Sequence, residues 1–434
     1  RHPVTVEIVG SNPIGVAIQT HMKQKQYVET IIIGAGLSGL AAGKTLLSKN
    51  KDFIIIEQKN KIGGKVNTEI HNGYKFDYGF QIILDGYEKT KKNIDIKKLK
   101  LQYFDSGALI WDGKKFHTIA DPFKNIKELP LTIISPIGNL KDKIKILILK
   151  IKLIFMKENQ ILQMDNITTK SFFKKNGFSR EFINKFLQPF FSGILLDKNL
   201  ITPHTYMLYL FKLFSRSNAG VPINGMQEIP SLLARELPKD KLMLNTKVKK
   251  IENDKITLEN NQIIYCKNII CSIESNSIKM LEQKNNMGTR KYFSCTTHYF
   301  TSAYLNNIFG KAYNTKKIIL NGSGRGQINN IAIMSNIAKS YAPNGSNLIA
   351  ITTLGKKTDH EQIVNELQGW SQFNNDDIVH LKSIHIDEAL PIYSPDNNQK
   401  NNRFENIIYC GDYLFHPSIE GAISSGIKAG DQIN

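Results

Sequence analysis

The sequence predicts an α/β fold: a parallel-sheet domain with an α+β domain inserted into its chain. Three observations predict it. A β-branched run is followed by spaced glycines and a helical stretch near the start. A second apolar run ends in an acid, Glu57. Near the far end, another short apolar run ends in Gly411-Asp412 and leads into a second glycine-bearing helix.

Tyr27 to Ile33 is apolar, β-branched and bounded by glycine, so it reads as a buried parallel strand. Gly34-Ala35-Gly36-Leu37-Ser38-Gly39 follows. Gly34 permits the tight turn, Gly36 close approach of backbone to a pyrophosphate, and Gly39 the packing of helix on strand. The helix from about Ser38 to Ser48 aims its free N–H groups and positive dipole end at those phosphates. A second strand, Phe53 to Ile56, ends in Glu57, at the distance where a carboxylate holds a ribose hydroxyl pair. Strand, glycines, helix, strand and acid in register make a Rossmann-like dinucleotide site.

The C-terminal half reads in the same terms. Asn406 to Cys410 is a short strand. Gly411 allows close approach, and Asp412 can accept hydrogen bonds from ligand hydroxyls. Ser418 suits the N-cap of a helix starting near Ile419. Gly421 and Gly426 keep that helix thin, where a ring system is expected to lie against it. Its N-terminus would face an edge where negative charge builds on reduction.

Further motifs carry a resemblance. Ile62-Gly63-Gly64-Lys65-Val66, then Phe76-Asp77-Tyr78-Gly79-Phe80-Gln81, resemble consecutive segments of the amine oxidase, phytoene desaturase and protoporphyrinogen oxidase superfamily of FAD enzymes. Pro222 to Ile251 is similar to that family's return to its FAD domain, where the backbone of the position matching Val248 meets the adenine. Gly411-Asp412 and Glu420-Gly421-Ala422 resemble its flavin-binding end, in the form found in carotenoid and squalene-type desaturases. The motifs run in family order from about residue 27 to 434. The resemblance implies FAD, held by Gly34, Gly36, Ser38, Gly39, Glu57, Gly63, Gly64, Lys65, Gly79, Phe80, Gln81, Val248, Gly411, Asp412, Glu420, Gly421 and Ala422. Lys65 departs from the family's usual Arg: it keeps the charge and loses the planar fork.

At 434 residues the chain can form two domains. Hydrophobic content of 41% with 22% charged residues excludes a disordered chain. The FAD domain is expected over 27–95, 220–285 and 402–434, and the substrate domain over 96–219 and 286–401. Residues 1–26 read as a leader or extraneous segment around a natural start at Met22. The first insertion reads as helical past Pro136. The second carries strand-like runs at Thr296–Leu305, Ile328–Met334 and Leu348–Leu354. The four cysteines have neither metal-ligand nor disulfide-framework spacing, so no metal site and a reducing, cytoplasmic setting are expected.

The 141–157 stretch has lysine stripes at Lys141, Lys145 and Lys152, and at Lys143, Lys150 and Lys157. They separate two apolar faces: Ile146, Leu149, Leu153 and Met156, against Ile144, Leu147, Ile151, Ile154 and Phe155. Such a helix is either a core element with snorkelling lysines or a peripheral contact with the anionic inner face of a membrane. The net charge of +19 suits the second. The basic residues are scattered and no nucleic-acid motif is present, so no nucleic-acid partner is expected.

No Ser-His-Asp set, HExxH or telling carboxylate pair occurs, so the chemistry is flavin-centred. His416, between Asp412 and the last helix, is the candidate side chain to meet substrate or phosphate. The expected activity is removal of hydride from an apolar, isoprenoid-like substrate. The alternatives are an amine or protoporphyrinogen-type oxidase, and a non-catalytic FAD- or lipid-binding module.

Overall fold

The computed structural model describes residues 26–434 except Pro122, Asn166, Gln372 and the stretches 283–289 and 394–401. The expected leader up to residue 25 and the domain boundaries near 285 and 401 lie outside the described residues.

The first sheet has eight strands. Its centre is parallel: Gln26–Ile33 lies between Phe53–Ile56 and Ile263–Cys271, with Thr30 opposite Phe53 and Ile33 opposite Cys271. Ile407–Tyr409 adds to the C-terminal half of the 263–271 strand, also in parallel. Alternate side chains serve two buried faces, as the isoleucine runs require. Ile32, Ile55, Ile270 and Ile408 join the cluster beneath the helices Leu37–Ser48 and Ile419–Asp431. Ile31, Ile54, Ile56 and Ile269 pack in a second cluster on the far side. An antiparallel pair, Val248–Glu252 and Lys255–Leu258, extends the sheet at one edge.

The 37–48 and 419–431 helices touch through small residues. A Cβ on Gly426 would stand 2.0 Å from the Ser38 carbonyl oxygen, and one on Gly430 2.8 Å from Thr45 Cβ. Ser38 Oγ donates to the Ala422 carbonyl at 2.9 Å. The helix after the first parallel strand and the helix after the last are thereby locked beside one another on one face of the sheet.

The second sheet has seven strands, in the order 379–391, 292–301, 349–354, 328–333, 318–321, 108–111 and 116–119. It gathers the three strand-like runs of the second insertion. The first of these is Tyr292–Thr301 rather than Thr296–Leu305. Ser302 Oγ accepts the Tyr304 N–H at 2.9 Å, turning the chain into a short helix at Leu305–Phe309. The glycine-bearing stretch 322–327 joins the 318–321 and 328–333 strands.

Between the sheets and the surface lies a helical layer that includes Leu140–Phe155, Gln188–Leu195 and His204–Arg216. The 140–155 helix is fixed at both ends. Asn139 and Asp142 form a reciprocal capping box at its start, at 2.9 and 3.0 Å. Lys212 Nζ donates to the Leu153 and Met156 carbonyls and Arg216 to that of Ile154 at its end. Among the described residues no helix is long and apolar enough to cross a membrane.

Candidate cofactor and substrate site

One continuous cavity of about 1090 Å3 runs from the C-terminal ends of the parallel strands, across the second sheet, to a mouth beside the 140–155 helix. Ligands of open α/β sheets bind at that end of the strands.

The inner end is built by two glycine loops that face each other. Gly34 turns with φ +99° and donates to the Ile56 carbonyl at 2.8 Å. Gly63 and Gly64 also have positive φ, and Gly63 N–H donates to the Ala35 carbonyl at 2.8 Å. A Cβ on Gly64 would reach within 3.3 Å of Gly36 Cα. Gly36 differs from these. Its φ of −73° suits any residue, yet a Cβ there would meet no protein atom within 4 Å. A side chain at Gly36 would only intrude on the cavity. The following helix has no side-chain N-cap bond and no acid in its first turn, so its N-terminus is free to hold an anion. Glu57 lines the same end, its carboxylate fixed by the Ala35 and Lys59 N–H groups, each at 2.9 Å. Glycine cradle, bare helix N-terminus and oriented carboxylate fit a dinucleotide.

Of the sequence-predicted residues, Gly34, Gly36, Ser38, Glu57, Gly63, Gly64, Lys65, Gly79, Phe80, Gln81, Gly411, Asp412 and Ala422 line this cavity. Gly39, Val248, Glu420 and Gly421 are not among its lining residues. Gly39 is a packing contact: a Cβ would lie 2.0 Å from the Gly34 carbonyl oxygen. Val248 buries its side chain in the cluster beneath the sheet, a placement compatible with the backbone contact expected of it. The Glu420 carboxylate caps the Glu88–Asn93 helix, accepting from Lys89 N–H and from both donors of Thr90. A Cβ on Gly421 would sit 1.9 Å from the His416 carbonyl oxygen and one on Gly426 2.0 Å from that of Ser38, so both positions require glycine for packing within the protein. His416 does not line the cavity. It is buried in a stack with Tyr206, Tyr209 and Tyr393, ring centroids 4.9–6.1 Å away. Burial pulls its imidazole down to about 4, so it stands neutral near pH 7.

Lys65 faces carboxylates that the sequence reading missed. Its Nζ lies 2.9 Å from Glu274 Oε1 and 5.0 Å from the Tyr292 ring centroid. Burial alone would lower this ammonium; the charges of Asp412, Glu274 and Glu388 overcome that and raise it. Burial pushes the Asp412 carboxyl up, against the pull of Lys65. The signal for Glu274 was positional: Ser272-Ile273-Glu274 lies just past the C-terminal end of the central 263–271 strand. Gln81 is held by its amide, which donates to the Lys65 and Tyr78 carbonyls at 3.0 and 2.7 Å. Its buried Oε1 has no partner among the described residues.

Beyond this end the lining is mostly apolar, and the polar floor residues are uncharged. Leu320, Thr352, Asn330 and Ile384 of the second sheet form its floor, with Phe182, Phe186, Phe190 and Phe191 among its walls. Charged side chains return at the mouth: Asp121 pairs with Lys150, while Lys124 and Lys143 donate to backbone carbonyls. No cluster of metal-binding side chains occurs among the described residues, and all four cysteines are free and buried.

Comparison with known proteins agrees with this geometry. Residues 37–434 match the model of the flavin containing amine oxidoreductases. Among curated proteins, a corticosteroid-binding protein of Candida albicans is 25% identical over 61% of this chain and 55% of its own length. The 4,4'-diaponeurosporene oxygenase of Staphylococcus aureus is 33% identical, but over only 23% of this chain and 20% of the relative. The 4,4'-diapolycopene oxygenase of Methylomonas is 29% identical over 20% of each. Among solved structures, an oxidoreductase from Methanosarcina mazei aligns with a TM-score of 0.71 at 15% identity, covering 93% of this chain and all of that one. A putative protoporphyrinogen oxidase from Exiguobacterium gives 0.70 at 14%, covering 94% and 99%. A putrescine oxidase variant gives 0.70 at 13%, with the same coverage. These structures share the fold. The family's flavin and the dinucleotide cradle make the cofactor FAD, and the chain belongs to the flavin-containing amine oxidoreductases as an FAD-dependent oxidoreductase.

Proposed function

We propose that this enzyme removes hydride from an apolar, isoprenoid-like molecule, as a desaturase or oxidase. The observation that carries this reading is the apolar stretch of the cavity between the cofactor end and the mouth. Leu320, Asn330, Thr352 and Ile384 on its floor and the four phenylalanines of its wall carry no carboxylate to hold an ammonium group, which an amine substrate would need once taken out of water; the carboxylates of the lining are Asp105, Asp121 and Asp387, with Glu57, Glu274 and Asp412 at the cofactor end. Two partial relatives bear names of carotenoid-type oxygenases and a third that of a steroid binder, which supports the same substrate class.

The glycine cradle of Gly34, Gly36, Gly63 and Gly64 would hold FAD, which when bound would supply the two-electron oxidant. The chain supplies everything else. Leu320 and Ile384 on the floor and Phe186 and Phe190 on the wall grip a chain-like substrate by apolar contact. The phenylalanines are packed against one another, with centroids 5.1–5.6 Å apart along Phe182, Phe186, Phe190 and Phe191, so the wall is stiff. A stiff wall fixes which carbon lies at the cofactor end and keeps water out.

A peripheral membrane contact belongs to this reading. Ile144, Ile148, Ile151 and Phe155 of the 140–155 helix are exposed, as are Ile133 and Ile134 of the preceding helix. Ile133, Leu140 and Ile144 also line the cavity mouth. An apolar rim at the mouth of an apolar cavity suits a substrate dissolved in a bilayer.

The test is anaerobic mixing of the oxidised flavoprotein with detergent-solubilised isoprenoids, polyamines and a reduced tetrapyrrole. Bleaching of the flavin absorbance by the isoprenoid supports the proposal. Bleaching by amine or tetrapyrrole alone rejects it.

A further inference from the structure

On the cavity floor two polar side chains stand side by side where a purely apolar substrate would call for aliphatic ones. Asn330 and Thr352 are directly opposite each other on neighbouring strands, so they share a face. Both line the cavity, and each is 2% exposed. Asn330 Oδ1 accepts from Asn329 Nδ2 at 2.9 Å, and Asn329 also donates to the Pro189 carbonyl at 3.2 Å. Those bonds fix which end of the Asn330 amide is engaged. Its Nδ2 has no partner among the described residues, and neither has Thr352 Oγ1. The pair continues toward the cofactor end: Thr352 lies opposite Thr297, whose Oγ1 accepts the Phe80 N–H at 3.1 Å.

A buried donor left without an acceptor is costly, and natural interiors rarely keep one. Two adjacent ones, in the wall of a cavity, mark a place where a ligand atom completes the bonding. An amide N–H beside a hydroxyl offers two donors, or one donor and one acceptor. A neutral oxygen answers both. A carboxylate or ammonium would not be matched, because the rung formed by Leu320, Asn330, Thr352, Thr297 and Ile384 carries no charge.

We propose that the substrate is an isoprenoid-like chain bearing one uncharged oxygen, a hydroxyl or a carbonyl, which Asn330 Nδ2 and Thr352 Oγ1 bind. This rests on the apolar-substrate reading above and adds to it a fixed register. With the oxygen anchored on the sheet, one particular C–H bond along the chain is delivered to the cofactor end.

The experiment measures binding by quenching of flavin fluorescence, with three probes of one carbon skeleton: an acyclic isoprenoid hydrocarbon, its alcohol and its aldehyde. The wild type is expected to bind the alcohol or aldehyde at least about tenfold tighter than the hydrocarbon. Asn330→Leu and Thr352→Val are expected to reduce that preference to near unity without weakening hydrocarbon binding. Both variants are expected to melt no lower than wild type, since each removes an unsatisfied buried group. If Asn330→Leu fails to fold, Thr352→Val, which exchanges a hydroxyl for a methyl, carries the test. Equal affinity for all three probes in the wild type, or an unchanged preference in the folded variants, overturns the oxygen site and leaves the apolar-substrate reading standing. Failure of every probe to bind overturns both.

Discussion

The Glu420 carboxylate accepts both the N–H and the hydroxyl of Thr90, at 2.9 and 2.7 Å, across 330 residues of sequence. The acid of the Glu420-Gly421-Ala422 motif is therefore a clamp. It ties the start of the 419–431 helix to the Glu88–Asn93 helix, behind the cavity rather than in it. Glu420→Ala is expected to lower stability by about 1–3 kcal/mol, since it strands buried donors. FAD affinity is expected to stay within about threefold. Urea unfolding and flavin fluorescence titration measure the two separately; a large loss of affinity in a fully stable variant would return Glu420 to the cofactor.

The second and third glycines of the fingerprint are expected to fail differently. Gly36→Val places its side chain in the cavity and meets no protein within 4 Å of its Cβ. It is expected to fold normally and lose FAD. Gly39→Ala drives a Cβ to 2.0 Å from the Gly34 carbonyl oxygen, so helix and strand must separate and the fold itself suffers. Circular dichroism melts and flavin content of the purified variants check this contrast. Reversed outcomes would remove the pyrophosphate from Gly36.

Lys65 is expected to act through charge. Lys65→Arg keeps a cation beside Glu274 and Asp412. Lys65→Ala leaves those two carboxylates to repel each other and the cofactor phosphates. FAD affinity is expected to hold within about threefold in the first and fall more than about tenfold in the second. Equal affinity in all three proteins would restrict Lys65 to pairing with Glu274.

His416 supplies a pH test. Its folded-state value, about 4, lies below the ordinary 6.5 because burial disfavours the imidazolium. A group depressed on folding is neutral in the native state. Its contribution is therefore fully present above pH 6.5 and is lost as pH falls from there toward 4, by at most on the order of 3 kcal/mol. His416→Phe keeps a flat ring among Tyr206, Tyr209 and Tyr393. It is expected to match wild type at pH 7.5 and to be the more stable protein at pH 5. Turnover is expected to be unchanged, since the ring lies outside the cavity. Parallel stability curves for the two proteins across that range would reject the assignment.

What the sequence made legible was local and repetitive. The Gly34 to Glu57 unit could be read because each residue's role follows from its own backbone or spacing, and the structure has that strand, turn, helix and strand. Ser418 could be read as an N-cap because capping is a contact over three residues, here to Gly421 N–H at 3.0 Å. Glu420, Gly426 and His416 could not. Their partners are Thr90, Ser38 and Tyr206, hundreds of residues away, and no local pattern announces such contacts. Asn330 and Thr352 were hidden for the same reason: their meaning comes from strand register and from a cavity formed by elements far apart in the chain.

The 140–155 helix shows both sides of that limit, and the last prediction concerns it. The expected faces are largely present. Ile146, Leu149, Leu153 and Met156 pack inward, while Ile144, Ile148, Ile151 and Phe155 are exposed, Phe155 at 83%. Leu147 turns instead to line the cavity, and Ile154 is half-buried. The lysine stripes divide: Lys143 and Lys145 donate to backbone carbonyls and Lys150 pairs with Asp121, leaving Lys141, Lys152 and Lys157 exposed. Residues 121–157 contain eight lysines and three acids. Each acid is spent internally: Asp121 on Lys150, Glu128 on Lys317 and Asp142 on the helix cap. The exposed charge of this patch is therefore lysine. A second copy docked on the same patch would bring lysine to lysine, whereas an anionic bilayer offers the opposite charge and an apolar interior. Purified protein is expected to sediment with vesicles of anionic phospholipid, to do so less as salt rises, and to ignore neutral vesicles. The double substitution Ile148→Ser and Phe155→Ser is expected to abolish sedimentation without lowering the melting temperature, because both side chains are largely exposed already. Failure of folded wild type to bind anionic vesicles at low salt would reject the membrane contact. So would a concentration-dependent dimer that the double variant disperses, since the apolar face would then belong to a second copy of the chain.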